Sequence, residues 1–430
     1  MQKKGIFLIS LSLLFTFILF VFAKDDPSVL IRKPVLAVAQ ISALFGMILF
    51  SYAFLLSSRF SFLENIFGGL DKIYKLHQIS GRLSFILIIT HFIFLVFNYI
   101  QNTSILSMLL FPGKTLSYNL GILSLWSMCF VLSAILYLAI DYQWFVRIQS
   151  FFIIPFSLGV VHMLLISSDS SRYLPLTIFL ILHTAIAYVS WIYKALLYPI
   201  IGPRFEYQVE TLKVYSEDVV VLTIAPCNKK MPFLPGQFAY VRFNSIGVRK
   251  EFHPFSIASS PSENSIRLAI KTSGDFTTQL KTLKIGEKAI LMGPYGRFCE
   301  RFFGRKDAVC VAGGIGITPF LGMLHYLKDA KLPLVKNLHL FYSVKNWQTA
   351  LFQRELENIS YIEKNLSLNV IHTEKGGRLN VEMIRNTLGE LKDKLYFLCG
   401  PKLMMEDLAG QLKRMSIPAK NIIYEDFSYK

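Results

Sequence analysis

Val309-Cys310-Val311-Ala312-Gly313-Gly314-Ile315-Gly316-Ile317-Thr318-Pro319 decides the fold of the C-terminal half. An unbroken apolar run passes through a glycine-rich turn into a helix start, so a strand buried on both faces leads directly into a helix. Thr318 reads as an N-cap and Pro319 as the first helical residue, which leaves the free N–H groups and the positive helix end facing the turn. A pyrophosphate fits such a turn. The spacing is not the Gly-x-Gly-x-x-Gly of the Rossmann pattern, and read alone it suits any tight strand-to-helix turn.

Outward from this motif, Ala308–Ala312, Leu338–Tyr342, Leu366–Ile371 and Leu395–Cys399 alternate with helical stretches across residues 306–430. That alternation predicts an α/β domain with a parallel sheet. Across residues 204–305 the pattern is one of short alternating strands, such as Val219–Ile224 and Phe238–Phe243, separated by turns such as Pro235-Gly236. It predicts an antiparallel β-barrel.

Residues 1–203 differ from both. The 430-residue chain is 53% hydrophobic, too apolar for one soluble domain. The excess lies in six runs, Gly5–Ala23, Val35–Leu56, Leu83–Ile100, Leu120–Ile140, Ile148–Ile166 and Leu174–Leu197, each near the ~20 residues that a bilayer core demands. An all-α six-helix transmembrane bundle follows, with membrane lipid around it. Lys3, Lys4, Arg59, Lys72, Lys75, Arg147, Lys194 and Arg204 cluster toward one side, which places that side and the C-terminal half in the cytoplasm. The first run resembles a signal peptide, but its length and the spans that follow favour an uncleaved first helix. The net charge of +17 is that of membrane-protein loops, since no basic block with interleaved aromatics points to nucleic acid. Cys129, Cys227, Cys299, Cys310 and Cys399 show no paired spacing, so no disulfide framework, zinc site or iron–sulfur centre is expected.

His77 and His91 lie fourteen positions apart around the third span, hence ~21 Å apart along one helix face. His162 lies in the fifth span. An intramembrane ionisable side chain is a functional candidate by default, and a neutral imidazole is an axial ligand for haem iron. The other reading is hydrogen bonding between helices.

With Trp144 and Gln149 ahead of His162, the bundle resembles the transmembrane domain shared by ferric reductases and NADPH oxidases, where two helices each give two histidines. The resemblance implies haem b between His91 and His162. It puts Gln149 where a partner for His77 is due, which leaves an inner haem five-coordinate, held by another group such as His183, or missing. Pro155 introduces a kink in the same helix.

The second half carries the resemblance further. His253-Pro254-Phe255-Ser256 resembles the flavin signature of ferredoxin–NADP reductase-like proteins, which implies that Phe255 packs on FAD and Ser256 sits near its N5. Lys271, Gly274, Asp275, Thr277 and Thr278 match the segment that grips the FAD pyrophosphate. Gly313, Gly314, Gly316, Thr318 and Pro319 then take the nucleotide pyrophosphate. Ser343 and Lys345 occupy the place that reads a 2′-phosphate; Lys345 supplies charge without the fork of an arginine, so NADPH and NADH both stay open, with NADPH ahead. Cys399-Gly400-Pro401 resembles the motif beside the nicotinamide, with Cys399 in a positioning role. The tail resembles a Glu-x-Phe ending in which Phe427 covers the flavin and Glu425 lies near the reacting centre.

The function implied is transfer of electrons from NAD(P)H through FAD and haem to a small acceptor across the membrane, an Fe(III) chelate or O2 with superoxide as product. Leu95, where the oxidases often have a histidine, weighs against dedicated oxygen chemistry. The alternative is a redox-decayed sensor or accessory subunit that keeps only flavin and nucleotide binding.

Overall fold

The computed structural model describes residues 2–138, 142–215, 218–303, 307–330 and 335–424. The chain divides into two compact units, residues 1–202 and 203–430.

In the first unit, six helices among the described residues are long and apolar enough to cross a membrane. They are α1 (Gln2–Phe22), α2 (Pro34–Ser57), α3 (Leu70–Asn98), α4 (Leu116–Tyr137), α5 (Ile153–Leu165, preceded by the helical segment Tyr142–Ser150) and α6 (Leu174–Ile192). α2 is the most enclosed, and it meets α3 closely: the Ser84 hydroxyl donates to Gly46 O at 2.8 Å, and a Cβ on Gly46 would stand 3.0 Å from Ile88. Outward-facing Leu83, Ile86, Ile93, Phe130 and Leu182 are exposed, as lipid-facing side chains are.

The spans depart from the predicted ones at two places, each with a local cause, and the kink expected at Pro155 is present. α3 starts at Leu70 rather than Leu83, because Asp71, Lys72, Lys75 and Arg82 lower the hydropathy of its first turns without breaking the helix. The fifth span breaks at Phe151 and Phe152, where Pro155 has no N–H to return to the carbonyl four residues earlier. The sixth passes through a π-turn at Tyr193–Leu197 just before Pro199, for the same reason.

In the second unit, β1 (Arg204–Tyr215), β2 (Val219–Pro226), β3 (Phe238–Asn244), β4 (His253–Ser256), β5 (Ile266–Lys271) and β6 (Lys288–Tyr295) form an antiparallel sheet in the order β4-β3-β6-β1-β2-β5. It is a curled sheet rather than a fully closed barrel. Among the described residues, one isolated bridge, Ile257–Leu268, joins its two edges.

The second sheet is parallel, in the order β11-β10-β7-β8-β9, from β7 (Ala308–Gly313), β8 (Leu338–Val344), β9 (Leu366–His372), β10 (Leu395–Cys399) and β11 (Ile422–Tyr424). Helices α7 (Thr318–Ala330) and α8 (Gln353–Ile362) cover one face; α9 (Val381–Leu388) and α10 (Lys402–Arg414) cover the other. Along β7, Ala308, Cys310 and Ala312 enter the first core, while Val309 and Val311 enter the second. The strand is apolar throughout because both faces are buried.

The two sheets share a core. Val219, Val221 and Ala269 of the first pack with Phe320 and Leu324 of α7, and Gly322 lets α7 approach the carbonyls of Ile257 and Ser259, which a Cβ would meet at 2.9 Å. An ion-pair cluster sits at the same junction: Arg267 of β5 donates to Glu355 of α8 at 2.7 and 3.1 Å, and His325 of α7 contacts the same carboxylate at 2.5 Å. Burial pushes the Glu355 carboxyl up, but the hydrogen bonds and charges of His325 and Arg267 outweigh it and hold the group at about 2, below its ordinary 4.5. The cluster therefore contributes fully above pH 4.5, and its contribution is lost as pH falls toward 2. Glu355→Gln is expected to cost about 2 kcal/mol at neutral pH and to flatten the acid side of a Tm-against-pH curve of the solubilised full chain.

Candidate functional site

The three predicted histidines of the bundle share one arrangement. His77 Nδ1 meets Ala53 O at 2.8 Å, His91 Nδ1 meets Ala39 O at 2.8 Å, and His162 Nδ1 meets Ser117 O at 2.6 Å. A carbonyl only accepts, so each ring donates from Nδ1, and a neutral ring then keeps its lone pair on Nε2. Each carbonyl belongs to a different helix or helix start from the histidine, which fixes ring orientation as the outer partners of metal-ligating histidines do. His183 differs. Its Nδ1 bonds Phe179 O of its own helix at 2.9 Å, and its ring lies 4.4 Å from that of Phe179.

His91 and His162 line one cavity of about 300 Å³, walled by apolar residues that include Leu44, Met47, Ile88, Phe92 and Leu125. Leu95 lines it too. Gly121 of α4, not singled out in the sequence, lets His162 approach: a Cβ there would stand 3.0 Å from the imidazole. Two oriented imidazoles on one apolar cavity, each with an unprotonated Nε2, fit the donor chemistry of a haem site. Gln149 lies before the break in the fifth span, on the segment Tyr142–Ser150, whereas His162 lies after it on α5.

In the curled sheet, two separately read motifs meet. The His253 ring stacks on Phe276 at 3.8 Å, Phe255 lies parallel to Phe276 at 6.4 Å, and His253 Nε2 is 3.0 Å from the buried carboxylate of Glu251. Pro254 and Ser256 lie on the same strand, paired with Tyr240 and Phe238. Gly274 caps a short helix, Asp275–Gln279, and a Cβ on it would meet open space. Here the structure departs from expectation. The Thr277 and Thr278 hydroxyls both donate to Gly274 O, at 3.0 and 2.9 Å, while Thr277 Oγ1 also accepts from the N–H groups of Ser273 and Gly274. They hold the turn together, and first-turn backbone N–H groups remain to face a phosphate. Lys271 is exposed, 3.6 Å from Asp218. Phe276→Ala is expected to cost about 3 kcal/mol and to lower the FAD retained per chain after gel filtration.

The glycine-rich turn and Cys399-Gly400-Pro401 lie at the C-terminal ends of β7 and β10, adjacent strands where the strand order reverses. Ligands of open α/β sheets bind at such a switch point. The two turns interlock: a Cβ on Gly316 would stand 2.3 Å from Cys399 O, and one on Gly313 would stand 2.8 Å from Pro401. Gly314 has φ +55° and open space beside it. Thr318 is not an N-cap. It is already helical, at φ −56° and ψ −47°, and its hydroxyl donates to Ile315 O at 3.1 Å, because the turn Gly314–Ile317 runs straight into α7 and Pro319. Ser343 pairs with Gly313 across the sheet, and Lys345, just past β8, lies 3.6 Å from Glu374. Glu425 and Phe427 lie outside the described residues; Tyr424 pairs with Leu398 of β10.

Three family models match successive parts of the chain: a ferric reductase like transmembrane component over residues 42–160, an FAD-binding domain over 204–298 and an oxidoreductase NAD-binding domain over 310–409. Flavohemoprotein A of Dictyostelium discoideum is 26% identical over 234 residues, which is 49% of this chain and 57% of that protein. A superoxide-generating NADPH oxidase heavy chain of the same organism is 27% identical over 39% of this chain and 37% of its own length. NADPH oxidase 3 of Homo sapiens is 30% identical over 32% and 27%. The chain thus spans little more than half of the first of these relatives and less of the others. A ferric reductase-like membrane component, an FAD-binding domain and an NAD-binding domain follow one another in one polypeptide, and the chain belongs to the ferric reductase and NADPH oxidase-like family.

Proposed function

We propose that this chain carries electrons from NAD(P)H, through bound FAD and haem b, across the membrane to a small acceptor, Fe(III) or O2. The observation that supports it best is the pairing of His91 and His162 on one apolar cavity, each oriented through Nδ1, in a chain that also holds flavin and nucleotide domains. Bound FAD would supply the conversion of a hydride into single electrons, and a haem held by His91 and His162 would supply a one-electron relay. Each NAD(P)H therefore yields NAD(P)+, one proton and two one-electron reductions of acceptor.

The remaining roles belong to side chains of the chain itself. Residues 1–203 form the membrane domain, 204–305 the flavin domain and 306–430 the nucleotide domain, the last two on the cytoplasmic side, toward which the bundle's lysines and arginines are biased. His253, Phe255, Ser256 and Phe276 would hold the flavin, and Lys271, Gly274 and Asp275 would hold its phosphates. Gly313, Gly314 and Gly316 bring backbone close to the nucleotide pyrophosphate, Ser343 and Lys345 meet its ribose end, and Cys399, Gly400 and Pro401 seat the nicotinamide. Glu425 and Phe427, outside the described residues, are assigned to that site by the sequence resemblance. At the inner position His77 is held as the other two are, without a histidine facing it from the fifth span.

Anaerobic addition of NADPH or NADH to the full chain tests this. The flavin absorbance bleaches and the haem bands then sharpen to the reduced form, with NADPH the faster donor. Unchanged flavin absorbance with both nucleotides would refute the reading.

A further inference from the structure

The segment that follows the flavin motif is gripped by one residue of a neighbouring strand. Ile257, Ala258, Ser259 and Ser260 are buried directly after Ser256, and Ile257 bridges to Leu268 of β5. Arg267 of the same strand holds this segment with backbone and side chain together. Its carbonyl accepts from Ala258 N–H at 2.8 Å, its N–H donates to Ser259 Oγ at 3.0 Å, and its guanidinium donates to Ala258 O at 3.2 Å. That guanidinium also reaches the nucleotide half: it donates to both carboxylate oxygens of Glu355 on α8 and lies 3.2 Å from His325 Nε2 on α7. Each of these helices follows a nucleotide element. The turn Gly314–Ile317 runs straight into α7, and Ser343 and Lys345 stand where β8 gives way to the approach to α8. The side chains of Arg267, Glu355 and His325 are each at most 28% exposed, so water competes with these contacts only in part.

We propose that Arg267 is a positioning residue for hydride transfer, fixing the flavin motif in distance and angle against the nucleotide turn; this rests on the electron-transfer reading above. The step it serves breaks one C–H bond of NAD(P)H and passes that hydrogen with both bonding electrons to bound flavin, leaving NAD(P)+. Such a step needs the reacting atoms held about 3–3.5 Å apart, and a misplacement of about 1 Å costs about a hundredfold in rate. Gly322 lets α7 lie against the carbonyls of Ile257 and Ser259, but the apolar contact around it is non-directional. A planar guanidinium with donors aimed at Ala258 O and at both Glu355 oxygens fixes orientation as well as distance. Stability alone asks only for the pair with Glu355. The further bond from the same planar group, to Ala258 O two residues beyond Ser256, is the one that registers the flavin segment against α8.

The test uses the purified full chain with FAD bound, mixed anaerobically with NADPH over a range of concentrations in a stopped-flow instrument. Arg267→Gln is expected to lower the limiting rate of flavin bleaching about tenfold or more. The Kd for NADPH and the FAD content per chain stay as in the parent, while the long-wavelength absorbance of nicotinamide stacked on flavin weakens. Arg267→Lys separates positioning from stability. Its ammonium keeps the pair with Glu355 and most of the melting temperature, but without the fork it cannot also hold Ala258 O, so the limiting rate falls as in Arg267→Gln. Adding Glu355→Gln to Arg267→Gln brings no further loss of rate, because the two side chains act as one unit. A limiting rate and stacking absorbance equal to the parent's in Arg267→Lys, or a loss that merely tracks the melting temperature across the variants, would overturn the proposal. A parent chain whose flavin neither NADPH nor NADH bleaches refutes the electron-transfer reading beneath it, an outcome seen before any variant is compared.

Discussion

On the proposed reading, His91→Ala and His162→Ala are each expected to abolish haem binding between α3 and α5 and to bring transmembrane electron transfer to background, while NAD(P)H still bleaches the flavin at its normal rate. The two rings line one cavity, and each is fixed by a carbonyl that neither haem nor flavin supplies. Loss of either imidazole would remove one of the two side chains proposed to hold the haem and open the cavity wall. A milder effect is expected when the support is disturbed rather than the ligand. Gly121→Ala pushes a methyl to 3.0 Å from the His162 ring, and a displaced ligand lowers haem affinity by about tenfold or more. His183→Ala leaves the spectrum unchanged, because His183 bonds within its own helix. Absorbance of the purified variants, read against their FAD content, separates these outcomes.

Gly316→Ala gives the largest expected effect in the soluble half. Its Cβ would lie 2.3 Å from Cys399 O and 2.6 Å from Cys399 C, both backbone atoms of the central strand pair, so neither can rotate away. The turn must separate from β10, at a cost of about 3 kcal/mol. The same separation opens the switch point where the nucleotide is placed, so the KM for NAD(P)H rises along with the loss of stability. Gly314→Ala is the control. Its Cβ enters open space, and only its left-handed φ of +55° is strained, worth about 1 kcal/mol. Thermal melts and steady-state flavin reduction of the two variants distinguish a clash from a backbone preference.

Much of this architecture was legible in local sequence. The apolar run at Val309 marks β7 because a strand covered by helices on both faces has no polar positions, and the observed strand ends one residue beyond the predicted Ala312. The histidines were legible because ionisable groups are rare in lipid. What escaped reading lies in geometry that residue type does not carry, most of it local and some of it between partners far along the chain. Thr318 looks like an N-cap by residue type, yet the preceding turn already supplies helical geometry and draws its hydroxyl back to Ile315. Thr277 and Thr278 look like phosphate donors, yet Gly274 O takes both hydroxyl protons. The start of α3 was hidden by charges that lower hydropathy without lowering helix propensity. Arg267 and Glu355 are 88 positions apart, and no periodicity joins them.

The pairing of His91 with His162 and the unmatched His77 lead to one decisive number, the haem-to-FAD ratio of the purified full chain, measured together with anaerobic NAD(P)H reduction. About one haem per FAD is expected, reduced after the flavin and lost in His91→Ala. Haem absorbance that survives His91→Ala undiminished, or haem that stays oxidised while the flavin is fully reduced, would contradict it.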